Sequence, residues 1–214
     1  MPDATSLSAT APHDMVSRLA LLIGFRDQHY RQLAVNALRL RRGDRVLEIG
    51  CGTGRNFAIL KKALGPEGTI IGLDASATLL ESARLRSLRH GWTNVHLVCG
   101  DAAEFEFPPA LDAVLSTYTL VVLPGYDRLI AAACKAVRMG GHVVVLDQRL
   151  PTGAAARLVP ALDRLSRPFR YSTVLAERRP WESLARYGTR STLQTLYFGF
   201  VFLAAAQCGE SGTR

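Results

Sequence analysis

Apolar residues along the chain fall into two alternating rhythms. Short runs rich in branched residues occur at 45–49, 69–73, 95–99, 113–116 and 142–146. Their length and composition predict buried strands. Between them, apolar residues recur every three or four positions at 57–64, 77–90 and 126–138, which predicts helices. Ser76 stands where it can cap the second of these. Gly65-Pro66-Glu67-Gly68 and Gly140-Gly141 end the first and third. Alternation at this spacing predicts an α/β fold with a parallel sheet covered by helices on both faces.

Both ends of the chain leave this rhythm. Residues 1–12 have no period and read as a loose tail. Met15, Leu19, Leu22 and Ile23, then Tyr30, Leu33, Ala34, Ala37 and Leu38, predict two helices separated near residues 24–27. Residues 151–166 and 179–187 read as helical. The apolar stretches 191–196 and 200–206 predict an antiparallel hairpin that closes the sheet edge. Residues 13–208 are expected to form one domain, with 209–214 a second short tail.

The stretch Val46-Leu47-Glu48-Ile49-Gly50-Cys51-Gly52-Thr53-Gly54 joins the first strand to the first βα turn. Glycines there let a ligand approach the main chain. Dinucleotide sites use G-x-G-x-x-G and seat a pyrophosphate on the helix N-terminus. Here the glycines run G-x-G-x-G, with an acid two residues ahead of them. A carboxylate aimed into the turn repels a pyrophosphate but pairs with an ammonium. A ligand with an amino-acid head and a nucleoside tail fits better. Ligands of parallel sheets bind beyond the carboxyl ends of the strands. Glu48, Asp74, Asp101 and Asp147 all fall at those ends.

Glu48 through Gly54 resembles motif I of the class I S-adenosylmethionine-dependent methyltransferases. Asp74, 20 residues after Gly54, is similarly placed to the family's ribose-binding acid, and Gly100-Asp101-Ala102 resembles its adenine motif. Gly140-Gly141-His142-Val143-Val144-Val145 resembles the turn before the family's fifth strand, with Met139 in place of the more usual proline. The resemblance implies a Rossmann-like, mostly parallel seven-stranded sheet with an antiparallel C-terminal hairpin. It implies S-adenosylmethionine as cofactor, with S-adenosylhomocysteine as product. The cofactor residues it implies are Glu48, Gly50, Cys51, Gly52, Thr53, Gly54, Asn56, Asp74, Ala75, Leu79, Asp101, Ala102, Ser116 and Thr117, with Leu80 a second residue for the adenine face. Gly50 to Asn56 and Tyr197-Phe198-Gly199-Phe200 look most like the group that contains ubiquinone/menaquinone C-methyltransferases and bacterial phospholipid N-methyltransferases. Many of those relatives carry a Tyr-Asp pair in the N-terminal helices. The nearest match here is His13-Asp14, with Tyr30 later.

Methyl transfer needs alignment and a dry site more than it needs a metal or a covalent nucleophile. A base matters only for an acceptor that must lose a proton. The candidates are Tyr118, Tyr30, His29 and Asp147, with Arg149 as an acceptor-holder; no metal site is expected. Residues 13–42 and 150–190 are expected to cover the acceptor. The second of these mixes Leu158, Leu162, Leu165, Phe169, Tyr171 and Trp181 with arginines. This favours a small or lipid-like acceptor, an amine phospholipid or a quinol. A natural-product methyltransferase acting on a soluble aromatic or amine, and a non-catalytic cofactor-binding subunit, are the alternatives.

Charge refines the expected partner. The net charge is +8. Between Arg149 and Arg190 nine arginines face only Asp163, Glu177 and Glu182. Such a segment reads either as a site for an anionic partner, a phospholipid surface, RNA or a phosphorylated substrate, or as a solvated arginine-rich surface. Nucleic acid is disfavoured, because no aromatic-basic array accompanies the arginines. The oligomeric state, a homodimer included, stays open. The four cysteines, Cys51, Cys99, Cys134 and Cys208, form no C-x-x-C pair. Four reduced thiols in a cytoplasmic chain without a zinc site are therefore expected, and the arginine-rich segment leaves open a peripheral place on the membrane.

Overall fold

The computed structural model describes residues 26–152 and 178–208. The expected tails, the helix around Met15 to Ile23, the His13-Asp14 pair and the helical stretch at 151–166 with its apolar residues lie outside the described residues or nearly so. The described elements run α1 (Asp27–Ala37), β1 (Arg45–Ile49), α2 (Phe57–Leu64), β2 (Thr69–Asp74), α3 (Ala77–Arg89), β3 (Val95–Cys99), β4 (Leu111–Thr117), α4 (Tyr126–Ala136), β5 (Val137–Gln148), α5 (Pro180–Tyr187), β6 (Thr189–Leu196) and β7 (Val201–Gln207). Short 3-10 turns occupy Leu120–Val122 and Tyr197–Gly199.

The strands form a seven-stranded sheet in the order β3-β2-β1-β4-β5-β7-β6. β1 pairs in parallel with β2 and β4, β2 with β3, and β4 with β5. β7 runs antiparallel to both β5 and β6. This is the expected mostly parallel sheet with its C-terminal hairpin.

Two-residue alternation along the strands divides the core into two layers. Leu47, Ile49, Val114, Val143 and Val145 face one layer, with α4 and α5 residues Leu129, Ile130 and Leu184. Val46, Ala113, Leu115, Val144 and Leu146 face the other, with α1, α2 and α3 residues Val35, Phe57, Leu60 and Leu80. Each layer removes a continuous apolar surface from water, which is the main stabilising term of the fold. Ser76 caps α3 as expected, its Oγ accepting from Leu79 N. Leu80 is core in this arrangement, whereas Leu79 is exposed.

Three boundaries differ from the expectation. α1 begins at Asp27, ahead of the apolar period that reveals it. β4 begins at Leu111 rather than 113, because Leu111 pairs with Val137. For the same reason α4 stops at Ala136, and β5 runs through the Gly140-Gly141 pair instead of starting after it. The ladder is irregular there: Leu111 pairs with Val137, and Ala113 with His142. A Cβ on Gly141 would overlap the Val137 side chain and the Asp112 carbonyl, so the irregularity requires glycine.

The four cysteines are not all reduced. Cys134 and Cys208 form a disulfide, with Cα atoms 5.0 Å apart. The pairing is tertiary and leaves no local spacing signal: β7 lies along β5, and Cys208 N donates to Gly141 O at 2.8 Å beside the end of α4. Cys51 and Cys99 are free. Among the described residues no helix is long and apolar enough to cross a membrane, and no cluster of potential metal ligands is present.

Candidate cofactor and acceptor site

The glycine loop is held by its own main chain. Gly50 N and Cys51 N both donate to Leu73 O, at 2.8 and 3.0 Å, and Gly54 N donates to Cys51 O at 2.9 Å. Gly52 N donates to Asp74 Oδ2 at 2.8 Å. Four N–H groups that could cradle a phosphate are thereby used internally. Two of the glycines serve different ends. Gly50 has φ +69° and lies so close to Thr119 that a Cβ would overlap that side chain. Gly52 has φ +53° and an open space whose nearest atom is Asp74 Oδ2 at 4.0 Å.

Glu48 lies beneath this loop, 1% exposed. Its Oε1 accepts from Asn56 Nδ2 at 2.5 Å, while its Oε2 is buried without a hydrogen-bond partner. Asn56 stands at the N-cap of α2 but makes no side-chain cap bond. Its amide turns inward and also donates to Thr117 Oγ1 at 2.9 Å. Arg31 of α1 closes the group, donating through Nη1 to Thr117 Oγ1 at 2.8 Å and Asn56 Oδ1 at 3.2 Å. Its Nε donates to Asp27 at 2.9 Å. Asp27 pairs in turn with Arg55 of the glycine loop at 2.7 Å. Burial raises the Glu48 carboxyl from 4.5 to about 7, against the opposing pulls of Asn56 and Arg31. A buried, half-paired acid held near neutrality is a marker of a functional site.

Asp74 ends β2 and organises the next turn. Besides Gly52 N, it accepts from Ser76 N at 2.9 Å. Each carboxylate oxygen keeps further acceptor capacity. Ala75 and Leu79 are exposed beside it. Gly100 N donates to Asp74 O at 3.1 Å, which sets the start of the Asp101 turn against the end of β2. Asp101 is exposed, and its Oδ1 accepts from Ala103 N at 2.8 Å. The Ala102 side chain is buried in the layer that carries α4.

Residues 46–141 match the family model described as a methyltransferase domain. The chain is 34% identical over 124 residues to a protein-L-isoaspartate O-methyltransferase of Ignicoccus hospitalis, covering 58% of this chain and 56% of that one. It is 30% identical over 137 residues to a demethylmenaquinone methyltransferase of Geobacillus kaustophilus, covering 63% and 58% respectively. A solved S-adenosylmethionine-dependent methyltransferase from Aquifex aeolicus superposes with a TM-score of 0.60 at 16% identity, covering 83% of this chain and 89% of that one. The chain thus has the fold of the class I methyltransferases, and residues 46–141 are similar to a methyltransferase domain. The chain spans a little over half the length of the curated relatives it matches.

Within the residues that match the methyltransferase model, the structure joins Glu48, Asn56 and Thr117 directly and places Gly50, Cys51, Gly52, Thr53, Gly54 and Asp74 around one loop. Thr53 is anchored through its carbonyl, which accepts from Arg86 Nε at 3.0 Å. Cys51 is buried, and burial with the nearby Glu48 pushes its thiol up, as suits a filler. Three expected residues are elsewhere. Ser116 is buried on the opposite sheet face, its Oγ donating to Ile49 O at 3.2 Å. Asp147 is 1% exposed on that same opposite side and accepts from Val121 N at 2.9 Å and Gln148 N at 2.8 Å. Its carboxyl therefore holds the 3-10 turn at Leu120–Val122 rather than facing Glu48. His29 is exposed, with its ring edge on Tyr30 at 5.7 Å.

Tyr118 has φ +55° and lies under Arg31, whose guanidinium carbon is 5.0 Å from the ring centroid. Burial and the Asp27 charge push its phenol well above the usual range. Its phenol therefore stays protonated at neutral pH in this structure. Arg31 and Asp27 carry no signal beyond an i,i+4 ion pair, which on its own reads as a solvated helix face. Arg149 stacks over Trp181 at 4.9 Å. Arg178 donates to the Val121 and Leu123 carbonyls at 2.7 and 2.8 Å. Both have uses inside the fold.

Proposed function

We propose that the protein is an S-adenosylmethionine-dependent methyltransferase acting on a quinol-type or other lipid-like acceptor. One observation carries the cofactor reading. Four of the loop's N–H groups, those of Gly50, Cys51, Gly52 and Gly54, are turned inward, and an oxygen of the buried acid beneath them has no partner. That arrangement suits an ammonium, not a phosphate. Glu48 supplies the counter-charge for the amino-acid head. Asp74 has acceptor capacity for ribose hydroxyls, and the exposed Leu79 with Asp101 suits a purine. When bound, S-adenosylmethionine supplies a methyl already activated by a sulfonium leaving group. The chain has then to align the acceptor, exclude water and set the charge of the site.

The acceptor reading draws on the likeness to demethylmenaquinone methyltransferase and on the aromatic side chains beside the loop. Tyr30, Tyr118 and Tyr197 pack on the same core layer that covers the Glu48 side of the sheet. The arginine-rich segment 149–190 brings positive charge for an anionic membrane, at which a cytoplasmic protein would meet such an acceptor. Sedimentation with anionic liposomes at low salt tests that part, and protein left in the supernatant refutes it.

Calorimetry tests the core of the proposal. Wild type binds S-adenosylmethionine and S-adenosylhomocysteine and not NADH, and Asp74→Ala loses both. Binding of neither compound by folded wild type, or a preference for NADH, overturns it. Turnover is then followed with demethylmenaquinol and with amine phospholipids.

A further inference from the structure

We infer that the turn Tyr197-Phe198-Gly199 is the acceptor-selecting wall of this site and takes a flat ring that carries an apolar chain. The inference rests on the methyltransferase reading above and names the residues that would sort its acceptors. Three observations place the turn. β7 is antiparallel, so Val201 pairs with Gln148 at the end of β5, and Leu196 pairs with Val201. The β6–β7 turn therefore sits at the carboxyl edge of the parallel strands, where the glycine loop also lies. Arg149 N donates to Phe200 O at 3.0 Å and fastens the turn to the exit of β5. Tyr197 reaches across to α1, with its ring 6.5 Å from Tyr30. Tyr30 is one residue before Arg31, which is bonded to Asn56 and Thr117.

The turn's conformation supports a recognition role over a packing role. Tyr197 has φ +46° and Phe198 φ +53°. For bulky residues this left-handed region is an outlier, and such outliers cluster at ligand sites. Packing does not repay the strain at Phe198, whose side chain is 80% exposed. Its ring stands 5.6 Å from Tyr197, and Tyr197 stands 6.4 Å from Phe200. The tilted rings present edges and faces at spacings that suit a further aromatic plane. A small amine headgroup gains little from such a wall, whereas a quinol ring with an isoprenoid chain gains stacking and apolar burial.

The test titrates an isoprenyl-bearing 1,4-naphthoquinone in neutral micelles into the S-adenosylhomocysteine-loaded full chain. Wild type binds it. Phe198→Ala weakens it at least tenfold with unchanged S-adenosylhomocysteine affinity, and Phe198→Trp restores it. Phe198→Gly, which suits the positive φ, melts at the wild-type temperature or higher yet binds as weakly as Phe198→Ala. Equal probe binding by wild type and Phe198→Ala, or no probe binding by the loaded wild type, overturns the inference and leaves the cofactor reading standing. Failure of wild type to bind S-adenosylhomocysteine sinks both. If Phe198→Ala keeps the probe but leaves anionic vesicles, the turn is a membrane contact and the inference is wrong.

Discussion

Glu48→Gln separates the stability of the empty protein from its capacity to bind. The substitution keeps the side-chain shape and the acceptor for Asn56 Nδ2 but removes the charge. In wild type the native carboxyl titrates near 7, above its ordinary value of 4.5, chiefly because burial penalises the ionised form. The native state therefore holds the extra proton between these limits. Stability that is fully present below about 4.5 is lost as the pH rises through 7. The separation of the two values corresponds to roughly 3 kcal/mol. Glutamine has no such dependence. The stability difference, mutant minus wild type, should thus grow by about 2–3 kcal/mol between pH 4.5 and pH 8. Asp147, raised from 3.8 to about 6, titrates in the same sense but is common to both proteins and cancels. Urea unfolding of the cofactor-free proteins at the two pH values measures the difference. Calorimetry at pH 8 should show the more stable mutant binding S-adenosylmethionine at least tenfold more weakly. A stability difference that does not change with pH would refute the account of Glu48 as a buried, half-paired acid.

Further outcomes follow from the loop and its clamp. Gly50→Ala and Gly52→Ala should behave differently. The first forces a Cβ into Thr119 and should cost about 3 kcal/mol or more in unfolding experiments. The second has room and should cost about 1–2 kcal/mol for its backbone alone, yet weaken cofactor binding in calorimetry by filling the space above Asp74. Arg31→Met removes the bonds to Asp27, Asn56 and Thr117 and should cost about 2–3 kcal/mol, with faster amide exchange in α1 as the local readout. Mass spectrometry after thiol alkylation should find Cys99 alone modified in the native protein, because Cys51 is buried with its thiol pushed up. Denaturation should add Cys51, and only reduction should add Cys134 and Cys208. Labelling of the latter pair without reduction would contradict the disulfide.

Much of the fold was legible because its signals are local. Each strand of the parallel half announced itself by a branched apolar run, and the acid-glycine loop announced its ligand class by the sign of one charge. Boundaries failed where pairing overrode local punctuation. Gly140-Gly141 reads as a stop, yet Val137 already pairs with Leu111, so the strand begins before the glycines. The cysteine pair failed for a related reason. Nothing within ten residues of Cys134 points to Cys208, which lies 74 positions away and arrives only when β7 pairs with β5.

The four acids at the strand ends show where a sequence stops being sufficient. Each end was found from the pattern alone, but the face was not. Glu48 pairs with Leu115, and Leu115 with Val144. Stepping along β5 by twos from Val144 reaches Leu146 and passes over Asp147. Parity therefore sends Glu48 toward α1 and α2, and Asp147 toward the other layer, where backbone N–H groups from Val121 and Gln148 occupy its oxygens. Two carboxyls with similar burial and similarly raised protonation thus differ in the property that matters. One has both oxygens bonded and fixes a turn. The other has an oxygen without a partner beneath an open loop, which binding of a cation can satisfy. The register that decides this depends on two strand pairings at once, and neither is written in the residues around either acid.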